Sequence, residues 1–300
     1  MKIDYGVQIE PQFGYNYEHI SSVAQAAEKH DFESLWTSDH FFITSDAVDV
    51  NCLECWTTLS SLAAETEDLR LGNLVASQSY RNPALHANIA ASLDHISGGR
   101  VYFGIGAGWK EVEYHAYNIP FPKPMVRIRQ MEDSLEIAKR MWRDPVADYK
   151  GKYHQVKTVS MPKPVQSSIP IVVGGMGTEL LKVTTRHADM ANFAWNVPLE
   201  KYEERLDVLK KHCIKFDREY DAIRKSAGLH LALTGAEAQE LAPYETYSGK
   251  REWEYKAPEE AAAFIRGYKD LGVSHFVILF PYGVEADSIR ILQEEVAPLV

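Results

Sequence analysis

A carboxylate and an imidazole stand side by side at Asp39-His40, within Trp36-Thr37-Ser38-Asp39-His40-Phe41 and just after a short apolar run at 32–36. Imidazole titrates near neutral pH, and a carboxylate beside it can fix its tautomer and raise its basicity. The pair suits a proton donor or acceptor, His40, with Asp39 orienting it. Glu10 is a second candidate for proton work. Two glycine-rich turns offer different chemistry, Gly104-Ile105-Gly106-Ala107-Gly108-Trp109 and Gly174-Gly175-Met176-Gly177. Glycine lets backbone N–H groups approach an anion closely, and a helix N-terminus adds a favourable field. Both turns read as phosphate cradles, the second with Thr178 as a possible N-cap. For the first, simple chain turning stays open as an alternative.

Cys52 and Cys55 form a C-x-x-C. Zinc would want a second Cys or His pair at matching spacing, and none follows, so no metal is expected. Two ordinary thiols at a helix start are the favoured reading, with a redox dithiol as the alternative. With Cys213 the count is odd, which fits a reducing compartment rather than a disulfide framework.

The elements that must position these residues alternate along the chain. Short β-branched or aromatic runs lie at 3–9, 32–36, 70–75, 101–105, 171–173, 190–194, 228–234 and 275–280. Segments of helical periodicity follow at 17–29, 53–65, 83–96, 127–142, 178–187, 199–223, 258–271 and 285–296. Eight strand–helix units close a parallel barrel, so the expected fold is α/β, a single (βα)8 TIM barrel over 1–300. Insertions are expected after strand 4 (114–170, with a hairpin at 148–156) and strand 7 (236–257). A doubly wound open sheet would carry a glycine fingerprint after its first strand, where this chain has Glu10-Pro11-Gln12-Phe13. Barrel strands deliver their C-terminal ends to one face. Gln8, Glu10, Phe13, Asp39, His40, residues 74–78, both glycine turns, Trp195-Asn196 and Pro281-Tyr282 should therefore converge.

Bulk properties narrow the partners. The chain is 45% hydrophobic and 25% charged, as a globular protein with a large core should be. A net charge of −10 without a basic stripe argues against nucleic acid and anionic membranes. No apolar run approaches the length of about 20 residues that a membrane span needs. A cytoplasmic protein acting on a small molecule is expected. Met131, Leu135 and Trp142 share a helical face and read as core; the charged 201–225 region reads as a solvated face. His86, His95, His187 and His212 are assigned no chemistry. Segments 41–51, 119–124 and 236–257 should shape the pocket, with Trp253, Tyr244 and Tyr247 giving it apolar character or forming a subunit contact.

Ser38-Asp39-His40-Phe41, Tyr80-Arg81-Asn82-Pro83, Leu93-Asp94, Ser97-Gly98-Gly99-Arg100 and the run to Trp109, continued by Gly174-Gly175 and Ala188-Asp189, carry a resemblance. Together they resemble the bacterial-luciferase-like flavin and deazaflavin oxidoreductases, the luciferase-like monooxygenase superfamily, over essentially the whole chain. The Ser-Asp-His-Phe pattern looks like the branch that uses coenzyme F420. An FMN-dependent monooxygenase and a non-catalytic flavin-binding barrel are the alternatives. The resemblance implies a coenzyme ring in the barrel mouth, against a strand-three bulge near Leu74-Val75-Ala76 that often holds a cis peptide between non-proline residues. It implies that Asp39 and His40 lie near the reactive carbon, with Ser77 and Gln78 at the ring edge. Gly106, Ala107, Gly108 and Trp109 would approach the ribityl phosphate from one side, and Gly174, Gly175, Met176 and Gly177 from another. It also implies a homodimer. The family's sugar-phosphate dehydrogenases use a further carboxylate and a tryptophan near the substrate; nothing after Phe41-Phe42-Ile43 matches them, so the substrate is left open.

Overall fold

The computed structural model describes residues 2–236 and 253–300. In chain order its first strands are β1 (Asp4–Ile9), β2 (Ser34–Thr37), β3 (Arg70–Asn73), the two-residue β4 (Ala76–Ser77) and β5 (Val101–Gly106). A hairpin follows, β6 (Val146–Lys150) with β7 (Gln155–Val159), then β8 (Ile171–Gly174), β9 (Met190–Phe193) and β10 (Arg224–His230). Short β11 (Ala232–Leu233) pairs with β12 (Tyr255–Lys256), and β13 (His275–Leu279) ends the series. The parallel order runs β3-β2-β1-β13-β10-β9-β8-β5-β4, and β3 also pairs with β5. With β3 and β4 as two parts of one stave, eight staves close into the expected (βα)8 barrel.

Around it stand α1 (Tyr17–Lys29), α2 (Cys55–Glu65), α3 (Pro83–Ile96), α4 (Glu111–Ala116), α5 (Pro124–Arg143), α6 (Thr178–His187), α7 (Leu199–Lys215), α8 (Pro258–Asp270) and α9 (Glu285–Ile291). Local chemistry sets their starts. Asn16 caps α1 by accepting from the His19 N–H, and Asn82 caps α3 by accepting from the N–H groups of Ala84 and Leu85, with Pro83 in the first turn. Met131, Leu135 and Trp142 are buried on α5, as their spacing requires.

Tyr5, Val7 and Ile9 pack outward against the helices, and a second cluster of Trp36, Tyr102, Val172, Met190 and Val277 fills the barrel interior. The Trp36 ring stacks on Tyr102 with centroids 5.1 Å apart. This is why β3 carries Gly72: a Cβ there would lie 2.6 Å from the indole. Lower in the barrel, buried His275 meets Ser226 Oγ at 2.9 Å and Glu33 at 3.5 Å. Burial pushes the Glu33 carboxyl up, but His275, Tyr102 and Ser34 outweigh it and hold it at about 2.

Two expectations need correction, and a third lies mostly outside the described residues. Strand seven spans Arg224–His230, not 228–234, because it begins with polar residues: Arg224 pairs with Asp4, and Lys225 Nζ donates to the Tyr220 carbonyl at 2.9 Å. Helix α7 stops at Lys215 rather than continuing to 223. Asp217 adopts φ 52 and the Arg218 N–H closes back on the Cys213 carbonyl at 3.0 Å. The strand-seven insertion expected at 236–257 falls mostly on 237–252, with Tyr244 and Tyr247, outside the described residues.

Candidate active site

At the C-terminal ends of the staves lies a cavity of about 560 Å³. The converging residues expected from the sequence form much of its wall: Glu10, Phe13, Asp39, His40, Leu74, Val75, Ala76, Ser77, Gly106, Gly108, Trp109, Gly174, Gly175 and Trp195. Gln8, Gln78, Ala107, Met176, Gly177, Asn196, Pro281 and Tyr282 are not on this wall. The Gln78 amide reaches instead toward Gln130 on α5, 3.4 Å away.

His40 does not lean on its neighbour in sequence. Its Nδ1 lies 2.8 Å from Oε2 of Glu113 on α4. Glu113 is fully buried, and its carboxylate also accepts from the Tyr80 hydroxyl (2.7 Å), the Phe41 N–H (2.9 Å) and Lys110 Nζ (3.1 Å). Burial alone would raise its pKa, yet hydrogen bonds from His40, Phe41 and Tyr80 hold it down at about 2. An anionic acceptor at Nδ1 keeps the proton on that nitrogen, so Nε2 is the ring atom left for proton exchange. Sequence reasoning missed Glu113. The available signal was a carboxylate, one of two with Glu111, set between apolar Val112 and Tyr114 after the fourth barrel strand.

Asp39 is instead gripped by Arg81, with Nη1–Oδ2 at 2.7 Å and Nη2–Oδ1 at 2.9 Å, and accepts the Ser77 N–H at 3.3 Å. The expectation that it orients His40 is therefore replaced. Arg81 also contacts Glu54, which caps α2. Burial lifts the Asp39 carboxyl above its ordinary range against the pull of Arg81. Glu10 accepts from the amides of Gln8 (2.9 Å) and Gln12, and Gln12 in turn accepts from the Ser38 hydroxyl at 2.7 Å.

The Leu74–Val75 peptide is cis, as is Ala194–Trp195. Between β3 and β4 the chain bulges, and Val75 projects over the neighbouring staves. A Cβ on Gly106 would lie 2.7 Å from Val75 Cγ2, and one on Gly174 would lie 2.8 Å from Cγ1. These two glycines thus make room for the bulge as well as lining the cavity. Gly108 has φ +80, and a Cβ there would meet the Tyr114 hydroxyl at 1.7 Å. Gly175 has φ +111, and Gly177, not Thr178, is the N-cap of α6. Among the described residues, no side chain caps that helix's first N–H groups.

The C-x-x-C thiols point to no redox pair. Cys52 Sγ donates to the His40 carbonyl at 3.2 Å, while Cys55 Sγ meets Thr37 Oγ1 at 3.1 Å. Burial pushes Cys52 up to about 12 and Cys55 well above its ordinary value, which suppresses the reactive thiolate. Among the described residues, no group of three or more His, Cys, Asp or Glu side chains is placed to hold a metal ion, and no helix is long and apolar enough to cross a membrane.

Fold and site together define a (βα)8 barrel with a His40–Glu113 pair, the Gly174-Gly175 turn and a bulged third strand around one cavity. The luciferase-like monooxygenase family model matches residues 4–275, and the chain belongs to that family. An uncharacterized protein of Mycobacterium tuberculosis is 32% identical over 186 residues, 56% of this chain and 65% of that protein. The chain thus matches slightly under two thirds of that relative's length. The F420-dependent glucose-6-phosphate dehydrogenase of Kineococcus radiotolerans is 23% identical over 313 residues, 94% of this chain and 92% of that one. In three dimensions the chain is similar to an F420-dependent secondary alcohol dehydrogenase in complex with an F420-acetone adduct (TM-score 0.85, 18% identity, 100% and 99% of the two chains).

Proposed function

We propose that this barrel binds coenzyme F420 and catalyses hydride transfer between the deazaflavin ring and a small organic substrate. One observation carries the reading: His40, its tautomer set by Glu113, shares a cavity wall with the Val75 bulge and the glycine turn that opens α6. When bound, a deazaflavin supplies a ring carbon that exchanges hydride and reacts poorly with oxygen. The chain's own groups fit such a coenzyme. Val75 backs a flat ring, and the Ser77 and Asp39 region offers hydrogen bonds at its edge. The Gly174-Gly175 turn on the wall lets a phosphate approach the backbone, with the start of α6 just beyond it. His40 Nε2 gives or takes the proton that accompanies hydride transfer, and Glu113 holds the ring in place through Nδ1. The apolar side chains of Phe13, Ile43, Trp195 and Leu279 exclude water from the same space. That relatives at 23% identity are named for F420 supports this reading.

The family description favours a second reading, a flavin-dependent monooxygenase using FMN and oxygen. A yellow protein that consumes oxygen when supplied with a flavin reductase would favour it. The hydride reading is tested by following deazaflavin absorbance in single turnovers across alcohols, aldehydes and enones. His40→Ala should slow hydride transfer about 100-fold while coenzyme affinity changes by less than about threefold. An unaffected rate in that variant overturns the role given to His40.

A further inference from the structure

Trp109 has a feature that the coenzyme reading does not absorb. The residue is 72% exposed, although it lines the cavity beside a largely buried catalytic cluster. The backbone beneath it is pinned on both sides. Gly108 admits no Cβ against Tyr114, the Glu111 N–H donates to the Trp109 carbonyl at 3.0 Å, and Lys110 reaches both Glu113 and the Phe42 carbonyl. A large apolar ring held out from an anchored loop at a cavity rim is a surface made to be covered. Its position says by what. The indole stands perpendicular to the His40 imidazole, 82° between planes and 5.6 Å between centroids, so it belongs to the end of the cavity where proton exchange occurs.

We propose that Trp109 is the substrate platform of this site, covering the apolar substituents of an uncharged substrate whose polar atom reaches His40, and not a coenzyme-phosphate contact. The proposal rests on the hydride-transfer reading for the identity of the coenzyme. Phe13 and Ile43, also on the wall, extend the apolar surface. The indole then sets substrate specificity, and coenzyme affinity does not depend on it.

The test uses the full chain labelled with 5-fluorotryptophan. Fluorine NMR resolves its six tryptophans, and Trp109→Phe assigns the resonance of interest. Coenzyme F420 alone should leave that resonance in place, and cyclohexanone added to the coenzyme-loaded protein should shift it. Trp109→Ala should weaken cyclohexanone binding about tenfold or more while F420 affinity stays within about threefold. The proposal is overturned if F420 alone moves the resonance and Trp109→Ala weakens F420 about tenfold. It is equally overturned if cyclohexanone leaves the resonance unmoved, or if glucose 6-phosphate moves it in cyclohexanone's place. Failure of the unlabelled wild type to bind F420 overturns the hydride reading instead, and the cyclohexanone titration of the labelled protein still decides the platform.

Discussion

Glu113 Oε2 lies 2.8 Å from Nδ1 of His40, joining residues 73 positions apart across the mouth of the barrel. Helix α4, after β5, thereby supplies the carboxylate partner of an imidazole that the loop after β2 presents. Glu113→Gln keeps the volume but removes the negative charge that faces Nδ1 of His40. Hydride transfer should fall about 100-fold with coenzyme affinity little changed, as single-turnover and equilibrium measurements would show. Equal losses in both would mean that Glu113 merely holds the loop.

The same carboxyl makes the fold acid-sensitive. Its pKa is about 2 when folded against an ordinary 4.5, so between those values the unfolded chain binds more protons and acid favours unfolding. Its contribution is full above about pH 4.5 and lost as pH falls through 2. By pH 3 roughly 2 kcal/mol should be gone. Urea titrations at pH 7 and pH 3 should show a smaller acid loss for Glu113→Gln than for the wild type. Glu33, also held at about 2, keeps some acid sensitivity in both.

Val75 and Gly106 form a space-sharing pair. Gly106→Ala places a Cβ 2.7 Å from Val75 Cγ2 and should cost about 1–3 kcal/mol and weaken coenzyme binding. Adding Val75→Ala removes the clashing methyl groups. The double variant should therefore be less destabilised by Gly106→Ala than the wild type is, by denaturant titration. Simple additivity would show that Val75 is not what the glycine accommodates.

Arg81 neutralises buried Asp39. Arg81→Gln leaves that carboxylate without its counter-ion and should cost about 3 kcal/mol. Asp39→Asn introduced with it should recover part of the loss, with a coupling energy of at least about 1 kcal/mol in a double-mutant cycle. Absence of coupling would contradict the pairing.

The scaffold was legible where local chemistry decides it. Helices α1, α3 and α6 have the bounds read from sequence, because Asn16, Asn82 with Pro83, and Gly177 punctuate the chain where helical periodicity begins. Polar Arg224 and Lys225 concealed the start of β10, because ion pairing at the barrel base replaces the usual apolar pattern there. The run from Leu93 to Arg100 that carries much of the family resemblance is structural. Asp94 binds the Gln166 N–H, and Arg100 donates to the carbonyls of Ala63, Thr66, Leu69 and Ser97. Adjacency suggested Asp39 as the partner of His40, whereas long-range geometry gave each its own, Arg81 and Glu113. No local pattern encodes such pairings, which arise only when the strand ends converge.

Selection of a deazaflavin over a flavin by this cavity is tested most directly by competitive titration calorimetry of the purified chain with F420 and FMN. F420 should bind at about micromolar concentration or tighter, with FMN at least about tenfold weaker. FMN binding as tight as F420, or tighter, would contradict the account.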